Sequence, residues 1–182
     1  MKCEQCSTDK VHVQFGNQPL CMDCYNSMMA AELGIELPEL PITFIADDAN
    51  GVMRIFEVER MIMGTTILLT AHERREQGYE FAVDGQLDDD QHKLFKQLIE
   101  KTTRGLSETY LATGKFPSGE PYTYIKQNHL KGVLSYDSDN CDTPLVIIDG
   151  KPYTWNEVGR LLQAFEGFQV KMVMKELADD FE

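Results

Sequence analysis

The spacing of apolar and polar residues changes period along the chain, and each change marks an element. From Thr43 to Asp84 the period is two. Thr43–Ala46, Val52–Met63, Thr65–His72 and Tyr79–Asp84 predict four strands. In the last of these, Tyr79, Phe81 and Val83 point one way while Glu80, Ala82 and Asp84 point the other. Gly51, Gly64 and Gly78 fall at or near the breaks. The connections are too short to carry crossover helices, so the strands form an antiparallel meander. After Asp88-Asp89-Asp90 the period lengthens to that of a helix. Leu94, Phe95, Leu98, Ile99 and Leu106 form the face that covers the sheet, and the acidic triplet serves the helix N-terminus as a cap.

Phe116–Pro121 is rich in breakers and reads as either a domain boundary or a long loop. Beyond it, Lys131–Tyr136 and Leu145–Ile148 predict strands. A helix starts at Trp155, announced by the capping box of Thr154 and Glu157. Trp155 is expected as a core anchor beside Val158 and Leu162. Phe168, Val170, Met172 and Met174 then alternate with Gln169, Lys171 and Lys175, which predicts a final strand over Phe168–Lys175.

The N-terminus adds chemistry to this picture. Cys3, Cys6, Cys21 and Cys24 form two C-x-x-C pairs with 14 residues between them. Each pair can present two thiolates from one tight turn, and two such turns close a tetrahedral S4 cage suited to Zn2+. A redox dithiol is the lesser alternative, since neither pair sits in a βαβ context. Between the pairs, Val11–Phe15 alternates like a strand and Gly16–Pro19 supplies a turn. Tyr25–Leu33 after the second pair reads as a helix stopped by Gly34. Knuckle, hairpin, and second knuckle at a helix start resembles a treble-clef zinc finger, with a zinc ribbon as the alternative. The two prolines of Leu37–Pro41 read as a linker with few contacts across it, so loss of a cysteine is expected to unfold residues 1–36 alone.

Composition narrows the function classes. Seventeen basic and 30 acidic residues give a formal net charge of −13, which repels nucleic acid and anionic membranes at long range. The cysteine module itself has Lys2 and Lys10 against five carboxylates, which favours protein contact over DNA or RNA. No apolar run is long enough to span a membrane and no apolar leader precedes Cys3, so a reducing cytoplasm is the expected compartment. His12 reads as an exposed strand residue and Cys141 as a free thiol. Asp137–Asp142 reads as a polar turn that lacks the glycine and the distal acid of a calcium loop. His72, His92 and His129 share no motif, and the chain has no P-loop, H-E-x-x-H, G-x-S-x-G or dinucleotide fingerprint.

The run Val146–Arg160 with Phe165-Glu166-Gly167-Phe168 resembles the C-terminal segment of a group of uncharacterised bacterial proteins. That resemblance implies a bacterial cytoplasmic protein and brings no activity or cofactor with it. The expected fold class is α+β. A zinc-binding module at 1–36 precedes a β-meander plus helix at 42–115, and a β-β-α-β segment follows at 122–182, as a third unit or part of the second. The expected function is that of a non-enzymatic adaptor with one structural zinc, held by Cys3, Cys6, Cys21 and Cys24, that acts through protein–protein contacts. The alternatives are an enzyme with its site in the α+β body, supported if the histidines and carboxylates share a cleft, and a nucleic-acid regulator using the zinc module.

Overall fold

The computed structural model describes residues 2–181 and is α+β. In chain order the elements are β1 (Val13–Phe15), β2 (Gln18–Leu20), α1 (Met22–Leu33), β3 (Thr43–Asp47), β4 (Met53–Met63), β5 (Thr66–Glu73), β6 (Glu80–Gln86) and α2 (Gln91–Ser107). Then come β7 (Leu111–Lys115), β8 (Pro121–Ile125), β9 (Val133–Ser135), β10 (Leu145–Ile148), β11 (Lys151–Tyr153) and α3 (Trp155–Leu162). The central sheet is an antiparallel meander in the order β3-β4-β5-β6. Its inner face presents Phe56, Ile67, Leu69, Ala71 and Val83 to Leu94, Leu98 and Leu106 of α2. The helix starts where the acidic triplet placed it: Asp90 accepts from the backbone N–H groups of His92 and Lys93.

One strand is longer than its neighbour, and the N-terminal module uses the difference. β3 pairs with β4 only over Met53–Glu57, so the far half of β4 has no strand on that side. Helix α1 lies there instead. The Asn26 side chain donates to the Arg60 carbonyl at 2.6 Å and accepts from the Ile62 N–H at 3.1 Å, standing in for a strand neighbour. The Tyr25 hydroxyl donates to the Ile62 carbonyl at 2.9 Å. Met61 joins Cys3, Leu20, Cys21 and Tyr25 in one apolar cluster, so module and sheet share packing.

The expected loose linker is therefore corrected. Arg60 donates to the Pro38 carbonyl, and Gln91, itself held by Arg60, donates to the Glu36 carbonyl. Ile35 and Leu40 pack against the main core. A proline-rich segment fixes an extended path, and here that path is stitched to the sheet by the half-buried Arg60.

At the opposite end of the sheet, Asp48 is 8% exposed and accepts from the N–H groups of Asn50 and Val52 and from Arg54. Arg54 reaches across to Glu73, which accepts from the Tyr79 N–H. This network ties the β3–β4 turn to the β5–β6 turn.

The C-terminal unit meets the same region. Phe116–Pro121 closes the β7–β8 hairpin, so it is a loop within one unit. β9, β10 and β11 form a small antiparallel sheet. Asp149 (φ 50) and Gly150 (φ 67) form its two-residue turn, the left-handed pair that a tight hairpin requires. The Tyr79 ring lies directly against Gly150, and the Asp149 carboxylate accepts from the N–H groups of Tyr110 and Leu111.

Two expectations fail in this unit. Trp155 is half-buried at the margin of the Val146, Ile148 and Val158 cluster, because the unit is too thin to enclose a ring at the first turn of α3. Phe168–Lys175 forms no strand: it is an exposed strap without regular secondary structure, with no neighbouring strand paired to its alternation.

Two outcomes are expected. Asn26→Ala leaves the Arg60 carbonyl and the Ile62 N–H without partners and should lower unfolding stability by about 2–4 kcal/mol in urea titration. Asp48→Asn breaks the buried pair with Arg54 and should cost about 3–5 kcal/mol. Burial pushes the Asp48 carboxyl up, but the Val52 and Asn50 N–H groups and Arg54 outweigh it and hold the carboxyl below the ordinary range. A folded pKa below the unfolded one contributes stability that is present above the unfolded value and lost as the pH falls through the folded one. Acid unfolding of the intact chain below about pH 4 should therefore carry this contribution, and acid titration of the Asn variant should lack it.

Candidate metal centre

The cysteine cluster is built by two short turns set face to face. In the first, the Cys3 N–H bonds the Thr8 carbonyl and the Ser7 N–H bonds the Cys3 carbonyl, with Ser7 in the left-handed region at φ 61. The hairpin β1–β2 then reverses the chain through Gly16 and Asn17. The Glu4 N–H bonds the Pro19 carbonyl, which pins the first turn to the second strand of the hairpin. Cys21 is the N-cap of α1 and Cys24 lies in its first turn, so the helix start orients the second pair.

The Sγ atoms of Cys3, Cys6, Cys21 and Cys24 all lie within 4.8 Å of one another, and Cys6 and Cys21 approach to 3.6 Å. A tetrahedral ion with metal–sulfur bonds of about 2.3 Å has sulfur–sulfur edges of roughly 3.8 Å. The cluster fits one metal ion at its centre. Cys3 and Cys21 are buried, Cys24 is half-buried and Cys6 faces solvent.

The electrostatics of the cluster are those of a cation site. Backbone N–H groups of Cys21, Cys6 and Gln5 point at the Cys3 sulfur and hold its pKa down to about 6. The Cys24 thiol is pushed up, first by its hydrogen bond with the Cys21 sulfur and then by burial. Four sulfurs at this separation cannot all ionise unaided, and a central cation removes that conflict.

The other candidate residues lie apart from the cluster. His12 is exposed, 3.4 Å from Glu59 of β4. His72 contacts Thr70 and Glu80 on β5 and β6, His92 lies in the first turn of α2, and the His129 ring stacks edge-on to Tyr110. These are separate elements with separate partners. The Asp137–Asp142 turn closes on itself through Asp137 and Asn140, and Cys141 contacts the Tyr136 hydroxyl at 3.2 Å. Two open clefts, of about 370 Å³ beside Ile35–Pro38 and about 350 Å³ beside Leu134–Pro144, include none of the histidines. No helix among the described residues is long and apolar enough to cross a membrane.

The residues that sequence reasoning passed over are Tyr25 and Asn26, which follow the last cysteine directly. Their signal was slight, a polar pair on a helix otherwise rich in Met and Ala. They carry the position of the cysteine cluster into the sheet.

Three family models match successive parts of the chain. They are the domains of unknown function DUF7685 over residues 2–36, DUF7686 over 38–107 and DUF7713 over 110–179. No curated protein and no solved structure matches the chain. The first match spans the cysteine centre with α1, the second the sheet with α2, and the third the C-terminal unit.

Proposed function

We propose that the cysteine cage holds one structural Zn2+, and that the chain is a zinc-stabilised, non-enzymatic adaptor of the bacterial cytoplasm acting through protein–protein contacts. The observation that carries this reading is the closure of the site. Four sulfurs are the whole donor set, and neither a histidine nor a carboxylate joins the group among the described residues. A catalytic zinc keeps a coordination position open for water or substrate, whereas four thiolates fill the tetrahedron. The second knuckle leads straight into α1, which supports a treble-clef arrangement over a zinc ribbon.

The metal's work in this reading is to fold a segment too short to build its own core. Its free energy reaches the sheet through Tyr25, Asn26 and Met61. The net charge of −13 favours protein over nucleic acid as the partner.

Elemental analysis of protein purified without added metal should give about one zinc per chain, and cobalt substitution should give the d–d spectrum of a tetrahedral thiolate site. An iron–sulfur absorption spectrum would defeat the assignment. Cys21→Ser should lower the melting temperature of the whole chain, because loss of α1 uncovers the β4 edge. Calorimetry showing an unchanged main transition would mean that the module contributes nothing to the sheet. Purification of the untagged protein from its own host should bring down a stoichiometric protein partner, and bound nucleic acid would reverse the choice of partner class.

A further inference from the structure

The four clustered cysteines differ in what can reach them. Cys3 and Cys21 are buried and Cys24 is half-buried. Cys6 faces solvent on a turn whose other residues, Glu4, Gln5 and Ser7, are exposed as well. A thiol that coordinates a metal ion is held deprotonated by the ion. Oxidation of cysteine follows thiolate character and exposure together. Within the cage, Cys6 alone combines the two in full. Cys141 is exposed too, but it lies outside the cluster and has no ion to hold its sulfur ionised.

A second sulfur lies within reach of Cys6. The Sγ atoms of Cys6 and Cys21 are 3.6 Å apart. They belong to different arms of the cage, Cys6 to the first turn and Cys21 to the N-cap position of α1. A bond between them takes two donors from the metal at once, and Cys3 with Cys24 cannot close a tetrahedron.

The helix that starts at Cys21 has little else to fix its first turn. The Cys21 side chain makes no capping hydrogen bond, and α1 has 12 residues, a length at which a helix alone is marginal in water. Tyr25 and Asn26 follow within the next turn and make the hydrogen bonds that cover the far half of β4. Cage, helix start and strand edge are therefore coupled in series.

We propose that the cysteine cage is an oxidant-sensitive switch. A hydroperoxide oxidises Cys6, Cys21 resolves it as a disulfide, and the cage gives up its metal, which frees α1 from the β4 edge. The inference rests on the zinc assignment. In the first step the Cys6 sulfur attacks the peroxide: a sulfur–oxygen bond forms, the oxygen–oxygen bond breaks, and an alkoxide or hydroxide leaves. In the second the Cys21 thiolate attacks the Cys6 sulfur, the disulfide forms and hydroxide leaves. The two thiolates give up two electrons, the peroxide takes them, and the zinc ion keeps its charge.

The test uses the full chain carrying Cys141→Ser, which removes the thiol outside the cage. As purified, it should contain about one zinc per chain. Hydrogen peroxide should release that zinc to a chromogenic chelator, and peptide mapping should find Cys6 joined to Cys21. Exchange of the Ile62 N–H, which Asn26 holds, should speed up by about tenfold or more on oxidation. Dithiothreitol with added zinc should reverse all three changes. Cys6→His keeps four ligands and should slow zinc release about tenfold or more, whereas Cys24→His keeps the exposed sulfur and should release as the parent does. A chain purified without zinc overturns this proposal together with the zinc assignment. A chain that holds one zinc and keeps it in peroxide overturns this proposal alone. So does a disulfide other than Cys6–Cys21, equal release from the two His variants, or an unchanged Ile62 exchange rate.

Discussion

A single asparagine side chain decides how the N-terminal half of this protein is put together. Half of β4 runs without a strand beside it, and a buried strand edge requires partners for its N–H and C=O groups. Asn26 supplies both kinds of partner at once, through one amide, and Tyr25 adds a third contact. The helix that carries them starts from Cys21 in the N-cap position and has Cys24 in its first turn. The cysteine cluster and the sheet edge are thus joined through the first turns of one short helix. Order at the cysteines propagates to Arg60 and Ile62 and, through Arg60, to the stretch from Glu36 to Pro38.

This arrangement changes the meaning of a closed thiolate cage. An appended module would hold its metal for its own sake. Here the cage completes a strand edge and shares its apolar cluster with Met61. The boundary between residues 36 and 38 that separates two family models is a boundary of sequence more than of mechanics. The second junction, near residue 110, is bonded in a different manner. It is spanned by the Tyr79 ring against Gly150 and by Lys101 and Arg104 of α2, which hold Asp180.

The sequence carried the central sheet because alternation and glycine breaks act locally. β3 to β6 and α2 lie within a few residues of the spans that period and capping predicted. The four clustered cysteines were legible because two C-x-x-C pairs stand out by their spacing. What could not be read were the long-range pairings. Nothing near Asn26 says that an edge lies 34 residues downstream. The prolines at 38 and 41 look like a linker because proline reports its own φ and not the arginine that finds its carbonyl. The strap misled for the opposite reason: Phe168–Lys175 has the local pattern of a strand, but a strand also needs a neighbour. Trp155 erred through volume, since periodicity gives the direction of a ring but not the depth of the layer that receives it.

The Asp149–Gly150 turn has a consequence for how the protein can vary. Gly150 meets two demands, a left-handed backbone and a surface flat enough for the Tyr79 ring. That ring stacks on Phe81 and lies under the Arg54 guanidinium, so its tilt is coupled to the ion network at the end of the sheet. The turn therefore acts as a spacer gauge between the two units. Surface residues on either unit can drift freely, whereas a methyl group at this one position would push the units apart and be felt in the turns of the other sheet. The geometry between the units is thus set by the absence of a side chain.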